Sequence, residues 1–159
     1  MEAEFKEKQK FTQWWLWLFL IGLVIFQLYG LYQQLIKGVN FGNKPMLDIG
    51  LMVFTLIPFA ILILFWLTKL ETEVNQKGIR IRFRPFVKKS FKWEDIQSAT
   101  VIKYKFVGYG IRLFTSYGTV YNIKGNTGLS IELKNGKKVL VGTQKGEEIS
   151  QIVAKFLRS

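Results

Sequence analysis

The chain has 159 residues, a formal charge of +12, no cysteine and no histidine. Disulfides, thiolate or imidazole metal ligands, and Cys or His catalysts are therefore excluded. Any enzymatic chemistry would rest on carboxylates, Lys, Tyr, Ser or Thr alone, and neither a metal nor a cofactor is expected.

Residues 1–13 form a polar tail carrying Lys6, Lys8 and Lys10. An uncharged run of 19 residues follows, Trp14 to Tyr32, WWLWLFLIGLVIFQLYGLY. After a loop over residues 33–48 comes a second uncharged run of 19, Ile49 to Leu67, IGLMVFTLIPFAILILFWL. A helix of about 20 apolar residues crosses about 30 Å of hydrocarbon, so both runs predict transmembrane helices at 14–32 and 49–67. The first run exceeds the ~7–15 residues of a signal-peptide core, and no small-x-small cleavage site follows it. It reads as a retained anchor.

The loop between the runs carries only Lys37 and Lys44, whereas cations crowd the tail and the segment after Leu67. An excess of Lys and Arg marks the cytoplasmic side, so both termini are expected inside and the 33–48 loop outside. Trp14, Trp15 and Trp17 open the first run and Trp66 closes the second. In an antiparallel pair all four would stand at one level, the headgroup depth that indole rings favour. Gln27 is expected to hydrogen-bond across the helix pair, and Pro58 to leave a modest kink. Neither run holds an ionisable residue, so a transport site is not expected.

From residue 69 to residue 159 the period changes. Ile79, Ile81 and Phe83 alternate with Arg80, Arg82 and Arg84, the signature of a half-buried strand. Strands are predicted at 71–75, 79–83, 88–92, 98–106, 111–114, 119–123, 129–133 and 139–142. Lys77-Gly78 marks a turn, Gly108-Tyr109-Gly110 a bend, and Asn135-Gly136 a hairpin. Trp93 to Ile96 is a turn or a single helical turn, with Trp93 in the core. Ile149, Ile152, Val153, Phe156 and Leu157 share one face of an amphipathic helix. Thr143 is its expected N-cap, with Glu147 and Glu148 in the first turn and Lys155 and Arg158 near the end. The expected fold is a helical hairpin followed by a mainly-β barrel of about seven antiparallel strands, one mouth plugged by the C-terminal helix.

Strands followed by a terminal helix resemble the pleckstrin-homology (PH) superfold. The strings GIRIRFRPF, FKWEDI, GYGIR and YNIKGNTGLSIELKNGKKVLVGTQK narrow the likeness. They resemble a family of bacterial membrane-anchored PH-like proteins of unknown function, with two N-terminal transmembrane helices before the barrel. That resemblance implies a multi-pass protein of the bacterial cytoplasmic (inner) membrane, and no activity.

From Glu71 onward there are seventeen Lys and Arg against seven Asp and Glu. A basic domain beside a bilayer points to anionic lipid before nucleic acid. Lys77-x-x-Arg80-x-Arg82 resembles the basic pattern by which some PH domains hold phosphoinositide phosphates between their first two strands. The candidate lipid-binding residues are Lys77, Arg80, Arg82, Arg84, Lys88, Lys89 and Lys92; Trp14, Trp15, Trp17 and Trp66 are the candidate interface anchors. No catalytic residue is assigned. The glycines at 108 and 110 lack a third glycine and a following helix, so no dinucleotide site is read there. Tyr104, Tyr109, Tyr117 and Tyr121 read as core or rim, not as a nucleic-acid stacking surface. The expected function is a non-catalytic interaction module at the inner leaflet. It would dock anionic lipid, a protein partner by strand addition or a second copy, or serve as an accessory subunit of a larger membrane complex.

Overall fold

A computed structural model describes residues 4–105 and 107–157. The chain divides into two compact units: residues 12–67 are helical, and residues up to 11 combine with those from 68 onward in a β-rich unit.

The helical unit holds α1 (Trp14–Leu31), a π-helical turn (Tyr32–Ile36) and α2 (Asp48–Leu67). Both helices are long and apolar enough to cross a membrane. Their boundaries fall within a residue of the predicted runs. Leu20, Val24 and Gly30 of α1 are buried, as are Leu51, Thr55 and Pro58 of α2. The two polar span residues behave differently from one another. Thr55 Oγ1 donates to the Leu51 carbonyl one turn back, at 2.8 Å. Gln27 Oε1 is buried without a hydrogen-bond partner, so the expected bond across the pair is not made through that atom. The 33–48 loop is tied at its ends by Gln34, whose Nε2 donates to Met46 O and to Asp48 Oδ1, both at 2.8 Å. Phe41 folds back against Phe26 and Tyr29, and against Gly30, where a Cβ would stand 2.7 Å from the ring.

The β-rich unit contains β1 (Phe5–Lys10), β2 (Lys69–Asn75), β3 (Gly78–Arg84), β4 (Val87–Lys92), β5 (Ile96–Lys103), β6 (Gly110–Thr115), β7 (Gly118–Asn122), β8 (Thr127–Leu133), β9 (Lys138–Gly142) and α3 (Gly146–Leu157). Strands β1 to β4 form one antiparallel meander; a second sheet runs β5-β8-β9-β7-β6, with β7 and β9 parallel. Neither sheet closes on itself; two open sheets and a C-terminal helix make up the expected mainly-β unit. All eight predicted strands are present; the fourth, predicted to reach Phe106, ends at Lys103, and Phe106 itself and Arg158 of the helix lie outside the described residues.

The ninth strand, β1, corrects the reading of residues 1–13 as a tail. It pairs with β2 from Phe5↔Val74 to Lys10↔Lys69. Its inward side chains are Phe5, Glu7 and Gln9. Two of these are polar, and they find hydrogen-bond partners far away in sequence, although Gln9 Oε1 is buried without one. Thr143 Oγ1 donates to Glu7 Oε2 at 2.5 Å and the Gln144 amide to Glu7 Oε1 at 2.8 Å, while Gln9 Nε2 donates to the Gly142 carbonyl at 2.7 Å. Thr143 is consequently not the N-cap of α3. Its hydroxyl bonds Glu7 and accepts from the Lys145 amide, and the helix begins at Gly146.

The core follows the alternation. Leu70 and Val74 of β2, Ile79, Ile81 and Phe83 of β3, Leu129 and Ile131 of β8, Val120 and Leu140 are all fully buried. Burying each such side chain contributes about 1.5–3 kcal/mol. Ile149 and Val153 bury the apolar face of α3. Trp93 is half-buried. It stacks on Phe156 with ring centroids 5.0 Å apart, and its Nε1 donates to the Asn75 carbonyl at 2.9 Å.

Candidate functional site

The outward face of the first sheet consists of rows of charge. Register sets them, because every second residue faces outward and neighbouring strands align. One row is Lys10, Lys69 and Arg84. The next is Lys8, Glu71, Arg82 and Lys88, and the third is Lys6, Glu73, Arg80 and Ser90. Lys92 stands beyond them, opposite Gly78. Among the described residues this face holds nine cations and two carboxylates.

The two carboxylates are buried by the cations lying over them. Glu71 pairs with Lys8 (3.9 Å), Arg82 (3.6 Å) and Arg84 (3.0 Å). Glu73 pairs with Lys6 (3.7 Å), Arg80 (3.6 Å) and Arg82 (3.3 Å). Strand β2 thus has both faces covered, apolar core on one side and a charge lattice on the other. The three arginines of the predicted site are not free point charges; each spends part of its guanidinium on a glutamate. Each also keeps further N–H donors, since a guanidinium carries five.

Seven residues were expected to act together, and the fold divides them. Arg80, Arg82, Arg84 and Lys88 share the outward face. Lys89 is opposite Ile81 and points to the other side of β4, where it lines a groove with Phe91, Leu113 and Phe114. Lys77 lies in the β2–β3 turn, where its amide is held by Asn75 Oδ1 at 2.9 Å. That turn joins the second and third strands, not the first two as the PH phosphate pattern would require. It is six strand residues, roughly 20 Å, from the Lys69 row. Lys92 stands at the same far end and pairs with Glu94 at 3.0 Å.

In the helical unit, Trp14 and Trp15 are exposed at the start of α1 and Trp66 near the end of α2, with Trp17 half-buried. Both helices turn large apolar side chains outward along their length, including Leu18, Ile25, Ile49 and Leu56. An apolar surface of that extent requires a nonaqueous covering.

The remaining motifs resolve as structure. Gly108 and Gly110 both have φ near +90°, and they bend the chain between β5 and β6. Tyr104 and Tyr121 are buried, and Tyr109 sits edge-on to Phe11. Burial pushes the Tyr104 hydroxyl up to about 12 and also raises that of Tyr121. Glu7 accepts from Thr143 and Gln144 in the connection between β9 and α3.

Sequence reasoning missed Lys6, Lys8, Lys10 and Lys69 as members of the charged face. The signal was present: Lys at every second position of FKEKQK has the strand period. No protein-family model matches the chain, and no curated protein is significantly similar to it.

Proposed function

We propose that the protein is a membrane-anchored, PH-like interaction module of the bacterial cytoplasmic membrane. In this reading α1 and α2 cross the bilayer as a hairpin, and the β-rich unit stands on the cytoplasmic side beside anionic lipid. The observation that carries the reading is the pairing of β1 with β2. Lys10 and Lys69 are neighbours in one sheet, and the whole apolar segment lies between them in sequence. A chain that leaves and re-enters a sheet at adjacent positions makes an even number of crossings, so both termini share one side. The cation excess on the same sheet favours the cytoplasmic side, where anionic lipid attracts each nearby Lys or Arg by about 1 kcal/mol.

The PH-like assignment is supported by seven strands, β1 to β4 with β5, β8 and β9, followed by α3; the β6–β7 hairpin is additional. The absence of His and Cys from the sequence favours binding over catalysis. The test is thiol mapping, which the cysteine-free chain makes clean. Asn43→Cys should react with an impermeant maleimide in intact cells, and Ser116→Cys only after permeabilisation. The reverse pattern refutes the orientation, and labelling of both in intact cells refutes the anchoring.

A protein partner is favoured by a separate feature. Phe114 is 99% exposed in a left-handed conformation beside exposed Leu113, and both line a groove with Lys89, Lys137 and Lys138. Strands β4 and β6, which border it, are sheet edges, so an acidic strand could add there. Cross-linking from position 114 in membranes tests this; no protein adduct would reject it.

A further inference from the structure

The β3–β4 turn combines features that the charged face alone does not explain. Phe86 is 54% exposed although its ring leans on Phe83 at 6.3 Å. Among the described residues of the β-rich unit, only Leu113, Phe114 and Leu157 are comparably exposed large apolar side chains. Pro85 precedes it, and Arg84 and Lys88 flank the turn. Arg82, Arg84 and Lys88 line, with Pro85, Phe86 and Val87, a shallow hollow of about 370 Å³. The Arg84 side chain is 54% exposed and its Glu71 partner engages one edge of the guanidinium, leaving donors for a second oxyanion.

The turn's position in the sheet is set by register. Arg84 is the partner of Lys69, which is the partner of Lys10. Lys69 follows the last residue of α2, Leu67, by two residues, a reach of at most about 7 Å. A sheet tethered at that row keeps its Arg84–Val87 end within covalent reach of the bilayer surface. Its other end, with Lys77, lies roughly 20 Å further along the strands.

We propose that Pro85–Phe86 is a tip that inserts at headgroup depth, and that Arg82, Arg84 and Lys88 beside it hold the phosphate of an anionic phospholipid. An aromatic ring flanked by cations suits that depth, since the ring leaves water while the charges stay among phosphates. This rests on the membrane-anchored reading above and adds to it a specific contact point. The bilayer is the occupant because the hollow sets three cations beside an exposed ring, complementary to anionic headgroups over hydrocarbon, and lies at the strand row that the chain joins to α2 two residues after Leu67.

The test uses the full chain carrying one nitroxide label in nanodiscs. Phe86→Cys reports the tip, Lys77→Cys the far turn, and Leu56→Cys the anchor. In discs containing phosphatidylglycerol the label at 86 should lose most of its collisions with aqueous nickel chelate and gain collisions with oxygen. The label at 77 should remain aqueous. In phosphatidylcholine discs, and with Arg84→Gln and Lys88→Gln added, the label at 86 should move back towards water. A label at 86 as aqueous as that at 77, with 56 in lipid, overturns the tip alone. An aqueous label at 56 overturns the anchor beneath it. Insertion that ignores both lipid charge and the two substitutions overturns the phosphate contact.

Discussion

Glu7 offers the sharpest test of how the β-rich unit is held together. Its carboxylate is buried between β1 and the β9–α3 connection, and accepts from Thr143 Oγ1, 136 residues away, and from the Gln144 amide. A hydrogen bond to a charged group contributes about 1.5–3 kcal/mol. Two of them set an upper bound of about 6 kcal/mol for Glu7→Ala, but the loss is offset in two ways. The substitution no longer desolvates a carboxylate, and Gln144 is exposed, so water can reach its amide. A net cost of about 2–3 kcal/mol follows. Glu7→Gln keeps one acceptor for the Gln144 amide and puts an NH2 where Oε2 was, which can donate to the Thr143 hydroxyl in a reversed bond, so the cost falls to about 1 kcal/mol. The control is Glu4→Gln, which removes the exposed pair with Lys155 (2.8 Å) and should cost no more than about 0.5 kcal/mol. Pulse proteolysis of the full chain in micelles across a urea series reads the β-rich unit's stability while α1 and α2 remain in detergent. A Glu7→Ala loss no larger than that of Glu4→Gln would refute the claim that Glu7 ties β1 to the β9–α3 connection.

Glu71→Ala should leave Lys8, Arg82 and Arg84 facing one another across adjacent strands, and the same proteolysis should show a loss of about 1–3 kcal/mol that shrinks as salt is added. A loss insensitive to salt would mean that packing, not charge, holds the lattice. For Tyr104 the pH dependence has a definite sign. Its folded pKa, about 12, lies above the ordinary value of 10.0. Below pH 10 both states keep the proton and the contribution is whole; between pH 10 and 12 the unfolded chain loses its proton first and stability falls. Absorbance at 295 nm, as a difference between the wild-type chain and Tyr104→Phe, should show this tyrosine titrating near pH 12. A midpoint near 10 would contradict its burial.

Much of this organisation is written locally. The two apolar runs specify helices because hydrophobicity continuous over 19 residues has few other stable outcomes. The alternation of Ile79, Ile81 and Phe83 with Arg80, Arg82 and Arg84 specifies a strand and the orientation of its faces. Asn135-Gly136 specifies a hairpin, realised with Gly136 at φ +80°. The candidate site was legible only in part. Composition announces a basic surface, but it cannot report that Glu71 and Glu73 lie beneath the arginines, because those pairings depend on the register between strands.

What the sequence determines alone is therefore periodic and near-neighbour: two helices of membrane-spanning length, eight strands, an amphipathic helix and a large positive charge. Tertiary structure decides which pieces meet. It recruits residues 5–10 as a ninth strand across the whole apolar segment, sends Lys89 and Lys77 away from the arginines, and brings Lys6, Lys8, Lys10 and Lys69 to them. The physical reason is that a buried polar strand such as FKEKQK has no apolar stripe to advertise it. Glu7 and Gln9 are stable inside only because Gly142, Thr143 and Gln144 arrive from the far end of the chain to bond them.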